Sequence, residues 1–459
     1  MTVVTRFAPS PTGFLHIGNA RTALFSYLFA KHNNGKFLLR IEDTDRERST
    51  EPAIKAIYDG LKWLGIEYDG EALLQSTRSD RHAQVAHEMI NRGKAYKCFH
   101  TSEELEVLKQ EAQANKAIFR SKWRDVDNSL LPNDKQYVVR LKSPDLGETI
   151  VNDLIQGKVV TKNSLIEDTI ILRSDLTPTY MLAVVVDDHD MGVTHIIRGD
   201  DHLTNTTKQI LLYQAMDWKV PEFAHLALIH GPDGAKLSKR HGALGVMEYK
   251  NMGFLPETMR NYLLRLGFSH GNDEIISDEQ AIEWFDLKSV GKSPSRLDFK
   301  KIESLNSHYI KHIDNIRLLN LIGEIKDFDY SFLEVNPDLV LNLIKSRTKT
   351  VNEVAELSKL FSSGLKIDLS SELELIVKNG IEVIEQFISL ICSLKVWDKE
   401  ALMSIANEIA LEKEVKLGQI AEILRVALTG MVHAPSIFDI MAFIGKDETI
   451  RRLSLWKNI

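Results

Sequence analysis

Cysteine is nearly absent: the 459-residue chain has two, Cys98 and Cys392. Two thiols build neither a disulfide framework nor a four-cysteine zinc site, and they suit a reducing compartment. Long apolar runs are missing too, none approaching the ~18 residues of a membrane span. A strand-like run, Val3, Val4, Thr5, Arg6 and Phe7, begins at once, so no secretory signal is expected and the protein is expected in the cytoplasm. Positive charge is not in excess: 57 Lys and Arg against 64 Asp and Glu give a net charge of −7. That argues against coating nucleic acid through global charge, while leaving room for a large RNA held by local basic strips and by shape. Proline is scarce late in the chain, with only Pro337 and Pro435 after residue 306. There is no low-complexity segment, fixed-period repeat or sustained heptad, which argues against a solenoid or coiled coil.

What is present is an ordinary globular composition, 44% hydrophobic and 26% charged, long enough for three or four domains. Residues 3–8 read as a strand, Pro9, Ser10, Pro11, Thr12 and Gly13 break it, and Ala20, Ala23, Leu24, Tyr27 and Leu28 recur at helical spacing. Asn33, Asn34 and Gly35 stop that helix, and residues 36–41 supply a second β-like run. A βαβ unit of this length implies a doubly wound nucleotide fold. A helix follows around residues 53–64. From about residue 94 to 179 the texture changes to a charged helix (103–114) and short mixed strands, which reads as an insertion. The α/β pattern resumes at 181–186, with a strand at 194–198, a helix from about 206 to 216 and a strand at 226–230. The last third is read as all-helical, with long amphipathic stretches at 372–394 and 401–428.

Two loops carry chemistry. The first, from Pro9 through Phe14, Leu15, His16, Ile17 and Gly18 to Asn19, joins a strand to the helix it feeds, where doubly wound folds hold a phosphate against amide donors and the helix dipole. Gly18 lets the backbone approach a nucleotide, and His16 can donate to a phosphate oxygen. Alone this is a weak signal, since a turn-rich loop with a half-buried His looks the same. The second runs from Gly231 to Gly242 and contains Lys236, Leu237, Ser238, Lys239 and Arg240. Its glycines, cations and serine suit wrapping a polyphosphate. A cationic turn alone is often only solvated surface, but the pair suits an ATP site closed from two sides.

These loops, with Arg40, Ile41, Glu42, Asp43, Thr44, Asp45, with Asp187, Asp188, His189, Asp190, and with Ile197, Arg198, Gly199, Asp200, Asp201, His202, resemble the class I aminoacyl-tRNA synthetases, and within them the bacterial glutamyl-tRNA synthetases. The resemblance covers essentially the whole chain. Asn19, Leu237 and Arg240 depart from the general His-Ile-Gly-His and Lys-Met-Ser-Lys-Ser patterns in the way usual for the glutamyl branch. It implies a Rossmann-like catalytic domain in two halves (1–90 and 180–230), an inserted α+β acceptor-stem-binding domain (91–179), a signature-loop and stem-contact domain (231–305), and an all-α anticodon-binding region in two parts (306–370 and 371–459). It also implies activation of glutamate by ATP with Mg2+, then transfer to tRNA(Glu), with tRNA(Gln) left open, by a monomer. His16, Lys239, Lys236 and Ser238 would stabilise the reacting phosphates, and Pro9, Thr12, Gly13, Gly18, Asn19, Leu237 and Arg240 would complete the ATP site.

Glutamate's two carboxylates and one ammonium call for two planar cations and one anion, which Arg6, Arg198 and Glu42 meet. Ala8, Ser10 and Tyr180 match the family's substrate-contact positions. The alternative for either arginine is an ion pair with Asp43, Asp45 or Asp200. Asp187 and Asp188, with Asp43, are expected to organise tRNA-end contacts or cap a turn rather than bind a dedicated metal. Arg347, Lys349, Arg425 and Lys446 are candidates for anticodon contact. Some relatives carry zinc in the insertion, but beyond Cys98 and His100 the stretch 122–127 offers no second thiol or imidazole, so no structural zinc is expected. Four rivals have features that tell against them, one being an unrelated nucleotidyltransferase, which would explain the two loops but not the helical last third. A glutaminyl enzyme would carry β-barrel anticodon domains, a tRNA-base-modifying relative would be shorter, and a non-catalytic paralogue would have lost His16, Lys239, Arg6 or Glu42.

Overall fold

A computed structural model of the chain describes residues 2–45, 48–132, 134–235, 244–333 and 336–456. It divides into two compact units, residues 1–250 with 256–299, and residues 251–255 with 300–459.

The first unit opens with β1 (Val4–Phe7), α1 (Ile17–His32) and β2 (Lys36–Ile41), and the two strands run parallel from Val4 opposite Lys36 to Phe7 opposite Leu39. Helix α1 has no polar face: Ile17, Ala20, Ala23, Leu24, Phe25, Leu28 and Ala30 are all buried, which suits a helix covered on several sides. It ends at Asn33, Asn34 takes φ 50°, and Gly35 then passes so close to β1 that an added Cβ would lie 2.1 Å from the Val3 carbonyl oxygen. α2 (Glu51–Trp63) starts on a Thr50 side-chain cap and is followed by Gly65 at φ 64°, the left-handed residue that commonly ends a helix. β3 (Leu73–Leu74) adds parallel to β2, and α3 (Ser79–Asn91) follows.

Next come β4 (Ala95–Cys98), α4 (Ser102–Ala114) with a Thr101/Glu104 capping box, β5 (Val138–Leu141), a hairpin of β6 (Glu148–Asp153) and β7 (Gly157–Lys162), and β8 (Ile170–Leu172). β4, β5 and β8 form an antiparallel sheet of their own. The hairpin does not join it. β6 pairs with a strand beyond the expected insertion, β10 (Glu222–Leu226), giving the order β7-β6-β10-β9 with β9 at His195–Gly199. The amide of Thr194 donates to the Val4 carbonyl at 2.9 Å, bringing β9 beside β1. The strands thus run β3-β2-β1 and then β9-β10, a doubly wound order whose direction reverses between β1 and β9, where such folds bind ligands.

Between β8 and β9 lies α5 (Tyr180–Asp190), and α6 (Leu203–Ala215) separates β9 from β10. Residues 181–186 are therefore helical. Their apolar run is buried all round, a case in which periodicity cannot separate helix from strand. The strand expected at 226–230 is corrected. β10 ends at Leu226, and Ile229–His230 (β11) pairs instead with Ser295–Arg296 (β12). The chain breaks between them where the Ala227 carbonyl accepts from buried Arg21. α7 (Val246–Asn251), α8 (Pro256–Arg265) and α9 (Asp278–Trp284) complete this part of the chain.

The second unit is helical: α10 (Phe299–His312), α11 (Asn315–Gly323), α12 (Pro337–Ile344), α13 (Val351–Ser358), α14 (Ser371–Asn379), α15 (Ile381–Cys392), α16 (Lys399–Glu412), α17 (Leu417–Thr429) and α18 (Ile437–Ser454). Its buried side chains form one cluster, from Ile310 through Phe387 to Trp456. Both long amphipathic stretches are broken into helix pairs. One breaks at Gly380, where an added Cβ would meet Ile423 at 2.4 Å, and the other after Glu412, where Glu414 takes φ 52°. Among the described residues no helix is long and apolar enough to cross a membrane.

Candidate active site

A cleft of about 640 Å3 opens at the carboxyl ends of β1 and β9, lined by Arg6, Ala8, Ser10, Glu42, Tyr180 and Arg198 on one part and by Pro9, Thr12, His16, Gly18 and Asn19 on another. Gly13 is not in this lining and Phe14 projects into solvent at 74% exposure. Lys236, Leu237, Ser238, Lys239 and Arg240 lie outside the described residues.

The loop after β1 is shaped by backbone bonds. The Thr12 amide donates to the Ser10 carbonyl and the Glu42 amide to the Pro9 carbonyl, each at 2.9 Å. His16 then caps α1, its Nδ1 accepting from the Gly18 amide at 3.1 Å. An Nδ1 that accepts carries no proton, so the neutral ring has its N–H at Nε2, and burial lowers the pKa of this imidazole. A Cβ added at Gly18 would meet only the His16 ring, at 3.4 Å, so the backbone there is open to the cleft.

Four buried charges meet behind the loop. Arg6 donates to Asp188 through Nε (3.0 Å) and Nη2 (3.4 Å). Arg40, fully buried on β2, donates through Nη1 to the same Asp188 oxygen at 2.6 Å and through Nη2 to Glu42 at 3.2 Å. Burial pushes the Asp188 acid up, but Arg40 and Arg6 outweigh it and hold the group below its usual value. For Glu42 burial wins over the attraction of Arg40 and Arg6, and its pKa is raised. Arg6 is thus anchored by Asp188, not by the Asp43, Asp45 or Asp200 that its sequence neighbourhood suggested.

Arg198 has no carboxylate partner among its hydrogen bonds. Its Nη2 donates to Thr206 and Gln209 of α6, each at 2.7 Å, its Nε to His225 Nε2 at 3.1 Å, and its buried Nη1 has no partner among the described residues. Burial lowers its pKa, though a guanidinium stays protonated throughout the physiological range. Tyr180 starts α5 and shares a hydrogen bond with His202 Nδ1 at 3.0 Å, and burial raises the phenol's pKa. His202, Asn205 and Arg21 also line the cleft, and the sequence reading missed them along with Arg40. Arg40 left a signal, since an arginine inside the apolar strand 36–41 demands a buried partner.

The expected tRNA contacts of Asp187 and Asp188 are corrected, because neither reaches the surface. Asp187 accepts from Gln75 (2.9 Å), Arg78 (3.2 Å) and His82 (2.9 Å), tying α5 to α3 and the turn before it. Asp43 is likewise mostly buried and accepts from the Ser76 amide (2.7 Å) and hydroxyl (2.6 Å). In the second unit Lys349 pairs with Glu303 at 2.9 Å, Lys446 donates to the Cys392 carbonyl at 2.6 Å, half-buried Arg425 donates to the Val432 carbonyl at 3.4 Å, and Arg347 is exposed. In the insertion, Cys98 Sγ faces the Ser121 hydroxyl at 3.6 Å and His100 Nδ1 faces Glu104 at 3.3 Å. Among the described residues no three His, Cys, Asp or Glu side chains cluster as metal ligands.

Known proteins match over the full length. The family model for tRNA synthetases class I (E and Q), catalytic domain, matches residues 2–304, and that for an anticodon binding domain matches residues 287–456. Proteins named glutamate–tRNA ligase 2 are similar at 52% identity in Rickettsia bellii, covering 99% of both chains, and at 53% in Zymomonas mobilis, covering 98% of this chain and 96% of that one. The crystal structure of a glutamate tRNA ligase from Elizabethkingia meningosepticum in complex with its amino acid superposes with a TM-score of 0.84 at 32% identity, covering 99% of each chain.

Proposed function

This chain belongs to the class I tRNA synthetases of the glutamate and glutamine group, and we infer that it ligates L-glutamate to the 3′ end of tRNA(Glu) through a glutamyl-adenylate, releasing AMP and pyrophosphate. The observation that carries the amino-acid assignment is the pair of buried guanidiniums, Arg6 and Arg198, at the carboxyl ends of β1 and β9 with Glu42 beside them. Arg198 buries an Nη1 with no acceptor among the described residues, and a substrate carboxylate would complete it. Asp188 grips Arg6 by two nitrogens, fixing the plane of the fork for the other carboxylate. Glu42 takes the ammonium. Its raised pKa follows from burial, and a neighbouring ammonium returns it to the charged form.

ATP binds with its phosphates toward the N-terminus of α1, where the His16 Nε2–H and the amides of the first turn are donors. The glutamate α-carboxylate attacks the α-phosphorus in line, pyrophosphate leaves, and the terminal ribose hydroxyl of the tRNA then displaces AMP from the adenylate. No covalent enzyme intermediate is needed. The side chains orient the reactants and stabilise charge on the phosphates, His16 from one side and Lys239, supported by Lys236 and Ser238, from the other. Mg2+ accompanies the nucleotide.

In this reading residues 91–179 receive the acceptor stem and the helical parts 306–370 and 371–459 receive the anticodon, with exposed Arg347 and Lys349 as the contacts best able to reach it. The enzyme acts as a cytoplasmic monomer. The test is aminoacylation with labelled glutamate and glutamine against separate glutamate and glutamine tRNAs. Glutamate on tRNA(Glu) is the expected product. Acceptance by neither tRNA refutes the reading, and acceptance by both assigns the broader specificity. Pyrophosphate exchange with and without tRNA tests whether activation waits for tRNA.

A further inference from the structure

Arg198 is supported from behind by a chain of buried groups that begins in the inserted hairpin. Its Nε meets His225 Nε2 at 3.1 Å, and His225 Nδ1 meets Asp153 Oδ2 at 2.5 Å. The side chains of His225 and Asp153 are both fully buried. A guanidinium has donors only, so His225 Nε2 accepts and the ring proton sits on Nδ1, donated to Asp153. Asp153 in turn accepts from the amides of Ile155 (3.0 Å), Gln156 (2.7 Å) and His225 itself (3.2 Å), while the Gln156 side chain donates to the His225 carbonyl at 2.9 Å. The turn of the β6–β7 hairpin is thus folded around this one imidazole. Asp153 is also the β6 residue that pairs with Phe223 of β10, so the carboxylate sits where the hairpin enters the sheet.

We propose that Asp153 and His225 are positioning residues for the substrate-binding guanidinium: Asp153 fixes the His225 tautomer, and His225 accepts from Arg198 Nε and holds Arg198 with its Nη1 available to a glutamate carboxylate. This rests on the reading of the cleft as the glutamate site. Without the Asp153 carboxylate the imidazole can take the other tautomer, which sets an Nε2–H against the Arg198 Nε–H and leaves the guanidinium held only at Nη2, by Thr206 and Gln209. The hairpin is then a working part of the amino-acid pocket, and a shift at its base alters glutamate binding before it alters ATP binding.

The experiment measures KM for glutamate, KM for ATP and kcat in tRNA-dependent pyrophosphate exchange for Asp153→Asn, His225→Gln, His225→Leu and, as a control on the pocket, Arg198→Lys. Asp153→Asn and His225→Leu are expected to raise the glutamate KM about 10- to 100-fold, the scale for losing a hydrogen bond to a charged group, with the ATP KM within about twofold. His225→Gln, whose amide oxygen can still accept from Arg198, should recover part of the loss. If His225→Leu does not fold, Asp153→Asn alone decides. Parallel rises in both KM values, or an unchanged glutamate KM in Asp153→Asn while Arg198→Lys raises it, overturn the positioning role and leave the pocket reading intact. An unchanged glutamate KM in Arg198→Lys overturns both.

Discussion

Asp188→Asn is a substitution for which the structure dictates a large cost from a small change in shape. The carboxylate is fully buried and faces two arginines, Arg6 at 3.0 Å and Arg40 at 2.6 Å, whose side chains are 5% and 0% exposed. Asparagine keeps one acceptor oxygen but removes the charge and turns an NH2 toward a guanidinium. Breaking a buried ion pair from one side costs about 3–5 kcal/mol, because the remaining charge is left uncompensated. The retained acceptor sets the expectation at the lower end, ~3 kcal/mol, against a total stability of about 5–15 kcal/mol for a folded unit. Urea unfolding reads the loss in the transition of the first unit, since the two units need not unfold together. The folded pKa of Asp188 lies below its ordinary 3.8, so its contribution is fully present above the unfolded value and disappears as pH falls through the folded one. The gap between wild type and variant should therefore be constant at neutral pH and close only below about pH 3.8. A loss under ~1 kcal/mol at pH 7, or a gap that closes near pH 6, would mean that the arginines find other compensation.

His16→Ala should lower the activation rate by about 10²–10³, the scale for one donor to developing charge, and separately cost about 0.5–2 kcal/mol as a lost helix cap; single-turnover adenylate formation and thermal melting measure the two independently. Because burial lowers the folded pKa of His16, the protein should lose stability as pH falls below about 6.5 toward that lowered value, and His16→Ala should remove this part of the dependence. Lys239→Ala should cost about 10²–10³ in activation with tRNA binding unchanged; an unaltered rate in pyrophosphate exchange removes that loop from the chemistry. Gly35→Ala should destabilise by at least ~1–3 kcal/mol, since its Cβ would lie 2.1 Å from a backbone oxygen that cannot give way; equilibrium unfolding within ~0.5 kcal/mol of wild type would refute the close approach.

How far the sequence was legible depended on whether a residue's role is local. The βαβ opening was readable because strand, turn and helix signals sit within forty residues of one another, and β1, α1 and β2 are there. Arg6, Glu42 and Arg198 were chosen from the charges of glutamate, the substrate that the family resemblance implies, and all three line one cleft. What holds them was not readable. Arg6 lies 182 positions from Asp188 and His225 lies 72 from Asp153, and no periodicity links such partners. Asp187 and Asp188 looked like surface acids because charged residues are rarely buried unless paired, and the arginines that bury them, Arg6, Arg40 and Arg78, come from three other segments. The β6–β7 hairpin misled for the same reason. Its neighbours in sequence belong to the antiparallel insertion sheet, while its hydrogen bonds go to β10. A composition shift marks where a chain departs from one pattern, but not which sheet it joins on the way, and here that difference puts Asp153 behind Arg198, through His225, instead of in a remote module.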